Sequence, residues 1–181
     1  EVAVAASFSP TGPRSAGKHG VGMISIAATA RQGMDMLSHH YDVWDEIATE
    51  NGHTVDRSSW RLVGPMHIAE TREQAERDVE FGIEDFSKYF SHVLPGGPVS
   101  GDTVEEILEN NRSSGFAVIG SPEDAIARIQ ELLDASNGGF GAFLFLDRAG
   151  IARRAPRSGQ GGGRMLGRHL DHRARLGHRG E

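Results

Sequence analysis

Apolar residues fall in two kinds of pattern along this chain. Short continuous runs stand at Val2-Ala3-Val4-Ala5-Ala6, Met23-Ile24-Ser25-Ile26-Ala27, Trp60-Arg61-Leu62-Val63-Gly64-Pro65-Met66-His67-Ile68 and Ala142-Phe143-Leu144-Phe145-Leu146. Between them lie longer stretches whose apolar positions recur every three or four residues. A continuous aliphatic run suits a strand covered on both faces, as in a parallel sheet. The runs therefore predict four buried strands, near residues 2–7, 22–27, 60–67 and 142–146. Pro65 cannot donate to a ladder and is expected at a bulge or strand end.

The periodic stretches predict helices. A short one is expected over residues 13–19 and a longer one over 34–50, with Leu37, Tyr41, Trp44 and Ala48 on its buried face and Asn51-Gly52 as its stop. Thr71-Arg72-Glu73-Gln74 has capping-box spacing, and Ala75, Val79, Ile83, Phe86, Phe90 and Val93 form the stripe behind it. After a Pro/Gly loop over 94–101, Thr103-Val104-Glu105-Glu106 opens a short helix to about residue 110. Ser121-Pro122 opens another, whose buried face is expected at Ile126, Ile129 and Leu133, with Gly138-Gly139 ending it. Strands alternating with helices predict an α/β fold with a parallel sheet, right-handed crossovers and all helices on the convex side. Four strands are too few to close a barrel of eight.

Composition narrows the function classes. The chain of 181 residues has no cysteine, so disulfides, thiolate metal sites and cysteine nucleophiles are excluded. No apolar run approaches the roughly 18–20 residues of a membrane span. The chain lacks an initial Met and a signal-peptide pattern, so the expectation is a cytoplasmic protein that begins mid-gene or after processing, with no membrane partner. Charge divides it in two. Residues 1–150 carry 11 Lys+Arg against 23 Asp+Glu, whereas residues 151–181 carry 8 Arg against Asp171 and Glu181. The division predicts one domain over 1–147 and an atypical Arg/Gly/His-rich tail over 148–181, disordered or frameshifted. The tail lacks interleaved aromatics, so its charge is read as nonspecific and no nucleic-acid partner is expected.

The best candidate for chemistry is the turn over residues 7–12. It leads from a strand into a helix whose N-terminal amides suit a phosphate, with Ser9 and Thr11 as hydroxyl donors and Gly12 allowing close approach. The competing reading, which the residues alone favour, is a plain turn whose Ser or Thr caps the helix. His39 and His40 are adjacent on a helix and diverge by about 100°, so a solvated face is favoured over a metal site and no metal is expected. His67 reads as a structural histidine. Arg61 needs a carboxylate, for which Glu70 is one possibility.

Three segments, in order, carry a resemblance. Ala5-Ala6-Ser7-Phe8-Ser9-Pro10-Thr11-Gly12 with Ala16-Gly17-Lys18-His19-Gly20 resembles the flavin-phosphate strand and loop of bacterial luciferase-like flavin-dependent monooxygenases. Trp60-Arg61-Leu62-Val63-Gly64-Pro65-Met66-His67-Ile68-Ala69-Glu70-Thr71-Arg72-Glu73-Gln74-Ala75 resembles their seventh strand and its helix. Ile119-Gly120-Ser121-Pro122-Glu123-Asp124-Ala125 followed by Ala142-Phe143-Leu144-Phe145-Leu146 resembles the approach to the eighth.

The resemblance implies the C-terminal half, strands five to eight, of a (β/α)8 TIM barrel, with residues 94–115 as an insertion. It implies reduced FMN as cofactor, with the deazaflavin F420 as a possible substitute. It also implies molecular oxygen, a small organic substrate and a flavin reductase supplying reduced flavin. The phosphate role carries over best to Ser9, then to Thr11 and Gly12, while Ser25 and Ile26 fall where the family's strand abuts the isoalloxazine ring. The groups steering the chemistry lie mostly on strands one to four, so no catalytic residue is assigned. Two other classes compete: a non-catalytic half-barrel that pairs with itself, as a homo-oligomer, or with a partner, and a Rossmann-like nucleotide binder. The absence of G-x-G-x-x-G after the first strand argues against the latter.

Overall fold

The structure is a computed structural model and describes residues 1–93, 97 and 99–147. The expectations for the tail over 148–181 lie outside the described residues. Among the described residues, five strands form one parallel sheet: β1 (Ala3–Ala6), β2 (Gly22–Ser25), β3 (Trp60–Ile68), β4 (Val118–Gly120) and β5 (Ala142–Asp147). Six α-helices connect them: α1 (Thr11–His19), α2 (Arg31–Met34), α3 (Leu37–Glu50), α4 (Arg72–Val93), α5 (Val104–Ser114) and α6 (Pro122–Ala135). The α/β class and the parallel sheet are as the sequence pattern predicts.

The long strand β3 organises the sheet. Arg61 pairs with Ile24 of β2 and also with Ala142 of β5, so these strands flank β3 on opposite edges. Met66 pairs with Val118 of β4 and with Asp147 of β5, so β4 shares the β2 edge, farther along. Among the described residues, no strand pairs residues 63–65 on that shared edge. Pro65 falls in this gap, inside the strand rather than at its end. The missing N–H is tolerated because the ladder is interrupted there.

Register separates the two faces of the sheet. Ala6, Ser25, Leu62 and Phe143 form one row across four strands. With Val4, Met23 and Trp60 they turn toward Ala16 of α1, Leu37 and Trp44 of α3 and Leu132 of α6, and these residues make the main core. The alternate row, Ala5, Ile24, Arg61 and Ala142, faces away from those helices. A second cluster joins Val79 and Ile83 of α4 to Ile107 and Leu108 of α5.

Several local expectations change. The helix expected over 34–50 is two: α2 ends at Met34 and α3 starts at Leu37. The buried face of α6 is not Ile126, Ile129 and Leu133. Ile126 and Leu133 are exposed and Leu132 is buried, because Arg128 turns inward to bond backbone carbonyls. His40 is fully buried rather than on a solvated face, because α3 is buried over a stripe that adds His40 and Val43 to the expected positions. Arg61 pairs with Glu1 at 2.8 Å, not with Glu70. The strand β5 is not buried on both faces: Leu144, Phe145 and Leu146 are 40%, 52% and 55% exposed. Among the described residues only β3 pairs with β5, which leaves its other edge open. The short strand β4 was not expected.

Candidate functional site

The carboxyl ends of β1 and β2 lie side by side, because these strands are parallel and register Ala6 against Ser25. The amide of Ile26 donates to the carbonyl of Ala6 at 2.8 Å and joins the two strand ends. All five expected site residues gather at this end: Ser9, Thr11 and Gly12 on the turn into α1, and Ser25 and Ile26 at the end of β2.

The start of α1 bears on the capping reading of the turn. Pro10 stands at the N-cap and no side chain caps the helix. Neither Ser9 nor Thr11 therefore serves as the cap, and both are exposed. The first turn carries no acidic residue; Arg14 stands near the start of the helix, and Lys18 and His19 sit in its last turn. The first backbone bond from the Pro10 carbonyl is to the Arg14 amide. Among the described residues, no group accepts from the amides of Thr11 or Gly12. These donors, two free hydroxyls and the positive end of the helix dipole fit a phosphate dianion. Gly12 serves packing as well. A Cβ there would lie 2.7 Å from the carbonyl oxygen of Ala5 and 2.8 Å from Cα of Ala6, so glycine is what seats α1 on β1.

The two β2 residues differ sharply. Ser25 is buried, and its hydroxyl accepts from the indole N–H of Trp60 at 2.9 Å. That bond gives Ser25 a place in the core beneath the site. Ile26 is 44% exposed and stands open on the sheet face opposite the helices.

The segment after Ile26 was not singled out in the sequence. Ala27 has φ 61°, a left-handed conformation that costs a non-glycine residue energy and marks a backbone held by its surroundings. Those surroundings are explicit. The hydroxyl of Thr29, fully buried, donates to the carbonyl of Phe116 at 2.5 Å, and Arg128 donates to the carbonyl of Thr29 at 2.6 Å. Gly64 of β3 leaves room for the Thr29 side chain, which a Cβ at 64 would overlap. Alanine carries no sequence signal for a left-handed turn; the buried Thr between alanines was the only available hint.

Other candidates resolve into structure. His67 lies 3.4 Å from Asp78 on α4, in keeping with its structural reading. A cavity of about 260 Å³ between α4, α5 and α6 is lined by Arg72, Arg112 and Arg128. Each guanidinium is already engaged, with Asp124, with Glu76 and Glu109, and with Glu131, respectively. No helix among the described residues is long and apolar enough to cross a membrane.

No family model matches the chain. It is 47% identical over 144 residues to limonene 1,2-monooxygenase of Rhodococcus erythropolis, a match covering 80% of this chain and 37% of the relative. Among solved structures it is similar to the oxygenating constituent of 3,6-diketocamphane monooxygenase of Pseudomonas putida, a type II Baeyer-Villiger monooxygenase in complex with FMN. That likeness has a TM-score of 0.57 and 26% identity, and covers 80% of this chain and 41% of that one. An F420-dependent secondary alcohol dehydrogenase shares the fold at a TM-score of 0.51 and 16% identity, over 80% of this chain and 42% of the other. The chain thus spans about two-fifths of the length of each of these proteins.

Proposed function

Because the chain belongs to the luciferase-like flavin-dependent monooxygenase family, we propose that it supplies the phosphate-holding part of a flavin monooxygenase site. In this reading β1, β2, β3 and β5 correspond to strands five to eight of a (β/α)8 barrel. The observation that carries the reading is the uncapped, acid-free start of α1 beside the exposed Ile26. Ser9, Thr11 and the amides of Thr11 and Gly12 hold the phosphate of FMN. Ile26, fixed by the strained turn at Ala27, lies against the isoalloxazine ring, and Ser25 supports it from below through Trp60.

Bound flavin, once reduced, supplies the electrons that activate molecular oxygen for insertion into a small organic substrate. This chain's residues bind one end of the cofactor, orient the ring and keep water from one side of it. A flavin reductase delivers the reduced cofactor. The relatives are named for limonene and a diketocamphane, and the open sheet face, with Ala5, Ile24, Ile26 and Leu144 beside Arg61, offers a largely apolar wall suited to a cyclic substrate of that kind. The FMN-bound relative favours FMN over F420 as the cofactor.

The test is a titration of the protein with FMN and with F420, followed by flavin fluorescence. Ser9→Ala should weaken FMN binding by about 5- to 30-fold, the loss of one charge-assisted hydrogen bond of about 1–2 kcal/mol. Unchanged FMN affinity in Ser9→Ala removes Ser9 from the site. Tighter binding of F420 than of FMN reverses the cofactor assignment.

A further inference from the structure

Two glycines fix how α1 lies on α3. A Cβ at Gly17 would stand 2.7 Å from the carbonyl oxygen of Trp44 and 2.9 Å from the amide nitrogen of Ala48 and from Cβ of Ile47. A Cβ at Gly20, just past the end of α1, would stand 2.7 Å from the ring of His53, just past the end of α3. The two helices therefore run side by side in the same direction, as crossovers of one parallel sheet do. Gly17 is level with residues 44–48. Equal steps back along two helices of about 1.5 Å rise bring Thr11 and Gly12 level with His40 and Tyr41.

His40 faces that level. It precedes Ile47 by about two turns, so it lies on the side of α3 that meets α1. Helical side chains lean toward the helix N-terminus, which carries its ring toward the start of α1. The residue is fully buried, and neither Nδ1 nor Nε2 has a hydrogen-bond partner among the described residues. Packing alone does not call for an imidazole there, since an aliphatic side chain fills such a position without leaving buried polar atoms unpaired. We infer that His40 is the cationic partner of the phosphate held at the start of α1, taking up a proton from solvent when a phosphate dianion occupies that turn. The inference rests on the reading of residues 9–12 as the phosphate-holding turn.

Without the anion, burial holds the imidazole neutral, below the usual histidine range. A dianion at the same level of the helix pair reverses that balance, because a nearby opposite charge favours the charged form. The ring nitrogen that lacks a proton then gains one from the buffer, and no covalent bond of the ligand changes. Few other groups surround this exchange. The strands β1 and β2 hold no charged residue. On α1 the charged residues nearest are Arg14 and Lys18, and before α3 it is Asp35, all exposed. On α3 itself His39, Asp42 and Asp45 are exposed, and of these only His39 adds to the effect of burial on His40. The phosphate's own second ionisation, near about pH 6, works in the opposite direction. A phosphate bound by helix amides holds its proton less readily and can only release one, so net uptake is the signature of the histidine.

The experiment is a calorimetric titration of the full 181-residue chain with FMN in buffers of different ionisation enthalpy, which counts the protons exchanged on binding. Binding should take up protons, and FMN affinity should strengthen about three- to tenfold between about pH 8 and about pH 7, a slope of at most one proton. Inorganic phosphate should show the same uptake, and riboflavin, which lacks the phosphate, should show none. His40→Leu should abolish both the uptake and the slope with unchanged circular dichroism. His40→Gln, which keeps a polar side chain that does not titrate, should do the same, whereas His39→Gln should keep both. FMN binding that depends on Ser9 but takes up no proton overturns this inference and leaves the phosphate reading standing. Absence of FMN binding removes that reading and this inference with it. Uptake that persists in His40→Leu, or that riboflavin matches, assigns the proton to another group and also overturns the inference.

Discussion

The indole N–H of Trp60 donates to the hydroxyl of Ser25 at 2.9 Å, and both side chains are buried between the sheet and its helices. Replacing Ser25 by Ala deletes the acceptor and leaves a buried donor unpaired, which costs about 1–3 kcal/mol. Ser25→Ala should therefore lower the unfolding free energy from urea titration by that amount while leaving the turn at residues 9–12 intact. Ser25→Thr keeps a hydroxyl and should retain most of the stability. Equal losses in both variants would show that the site responds to shape rather than to the bond.

Arg57 performs a similar service at the other end of the strands. Its guanidinium lies 3.6 Å over the Tyr41 ring and donates to the carbonyls of Ser136, Asn137 and Gly139. It thereby ties the C-terminal end of α6 and the turn into β5 to α3. Arg57→Lys retains the charge but cannot reach three carbonyls in a planar fan. The expected loss is about 2 kcal/mol for Lys and more for Ala, with faster amide exchange at the start of β5. Exchange unchanged at residues 142–144 in Arg57→Ala would refute the tie.

The sequence made these elements legible to different degrees, for physical reasons. Four strands were visible because their apolar runs are continuous, and the α6 start because Ser121, Pro122 and Asp124 form a capping box. The strand at Val118–Gly120 was not, since three residues carry no periodic signal and their partner on β3 is about 50 positions away in sequence. The face of α6 was misjudged because the spacing of Ile126, Ile129 and Leu133 gives no sign that Arg128 turns inward to the carbonyls of Thr29 and Gly115. In the candidate site, the turn into α1 was legible from Ser9 to Gly12, whereas the absence of a cap depended on the backbone at Pro10. The left-handed Ala27 was legible only through its neighbour Thr29, because that residue is held by Gly64, Phe116 and Arg128 from three other parts of the chain.

His40 sets a pH dependence. It is fully buried with both ring nitrogens unpartnered, and burial, followed by the neighbouring His39, holds its imidazole below the usual histidine range. A base with a depressed folded-state pKa binds fewer protons folded than unfolded. Its contribution is complete above the unfolded value of about 6.5 and is lost as pH falls below that toward the folded value. The carboxylates of Glu1, Asp56 and Asp124 are also held low, but their contributions disappear only below the unfolded carboxylate range near about 4. The urea midpoint should thus fall between about pH 7 and about pH 5, and His40→Leu should flatten that decline. At neutral pH the same variant should be near neutral or stabilising, because it removes both unpartnered atoms at once. An unaltered slope in His40→Leu would assign the dependence elsewhere.

Arg128 links the candidate site to a helix on the far side of the sheet. Its guanidinium donates to the carbonyl of Thr29 at 2.6 Å and reaches that of Gly115 at 3.4 Å, while Glu131 holds it from behind at 3.1 Å. Two consequences separate its role from general packing. Arg128→Ala removes a charge-assisted bond to the segment that carries Ala27, so about 1.5–3 kcal/mol of stability should be lost. The loss should appear locally as faster amide exchange at residues 27–30, because the left-handed Ala27 persists only while its neighbours hold it. On the proposed flavin reading, affinity for FMN should also fall because the Ile26 turn is loosened, whereas the turn at residues 9–12 keeps its exchange protection. Arg128→Lys should restore little, because one ammonium cannot serve both carbonyls and the carboxylate in that geometry. If Arg128→Ala loosened residues 9–12 as much as 27–30, the arginine would be supporting the whole sheet end, and its specific action on the Ile26 turn would be refuted.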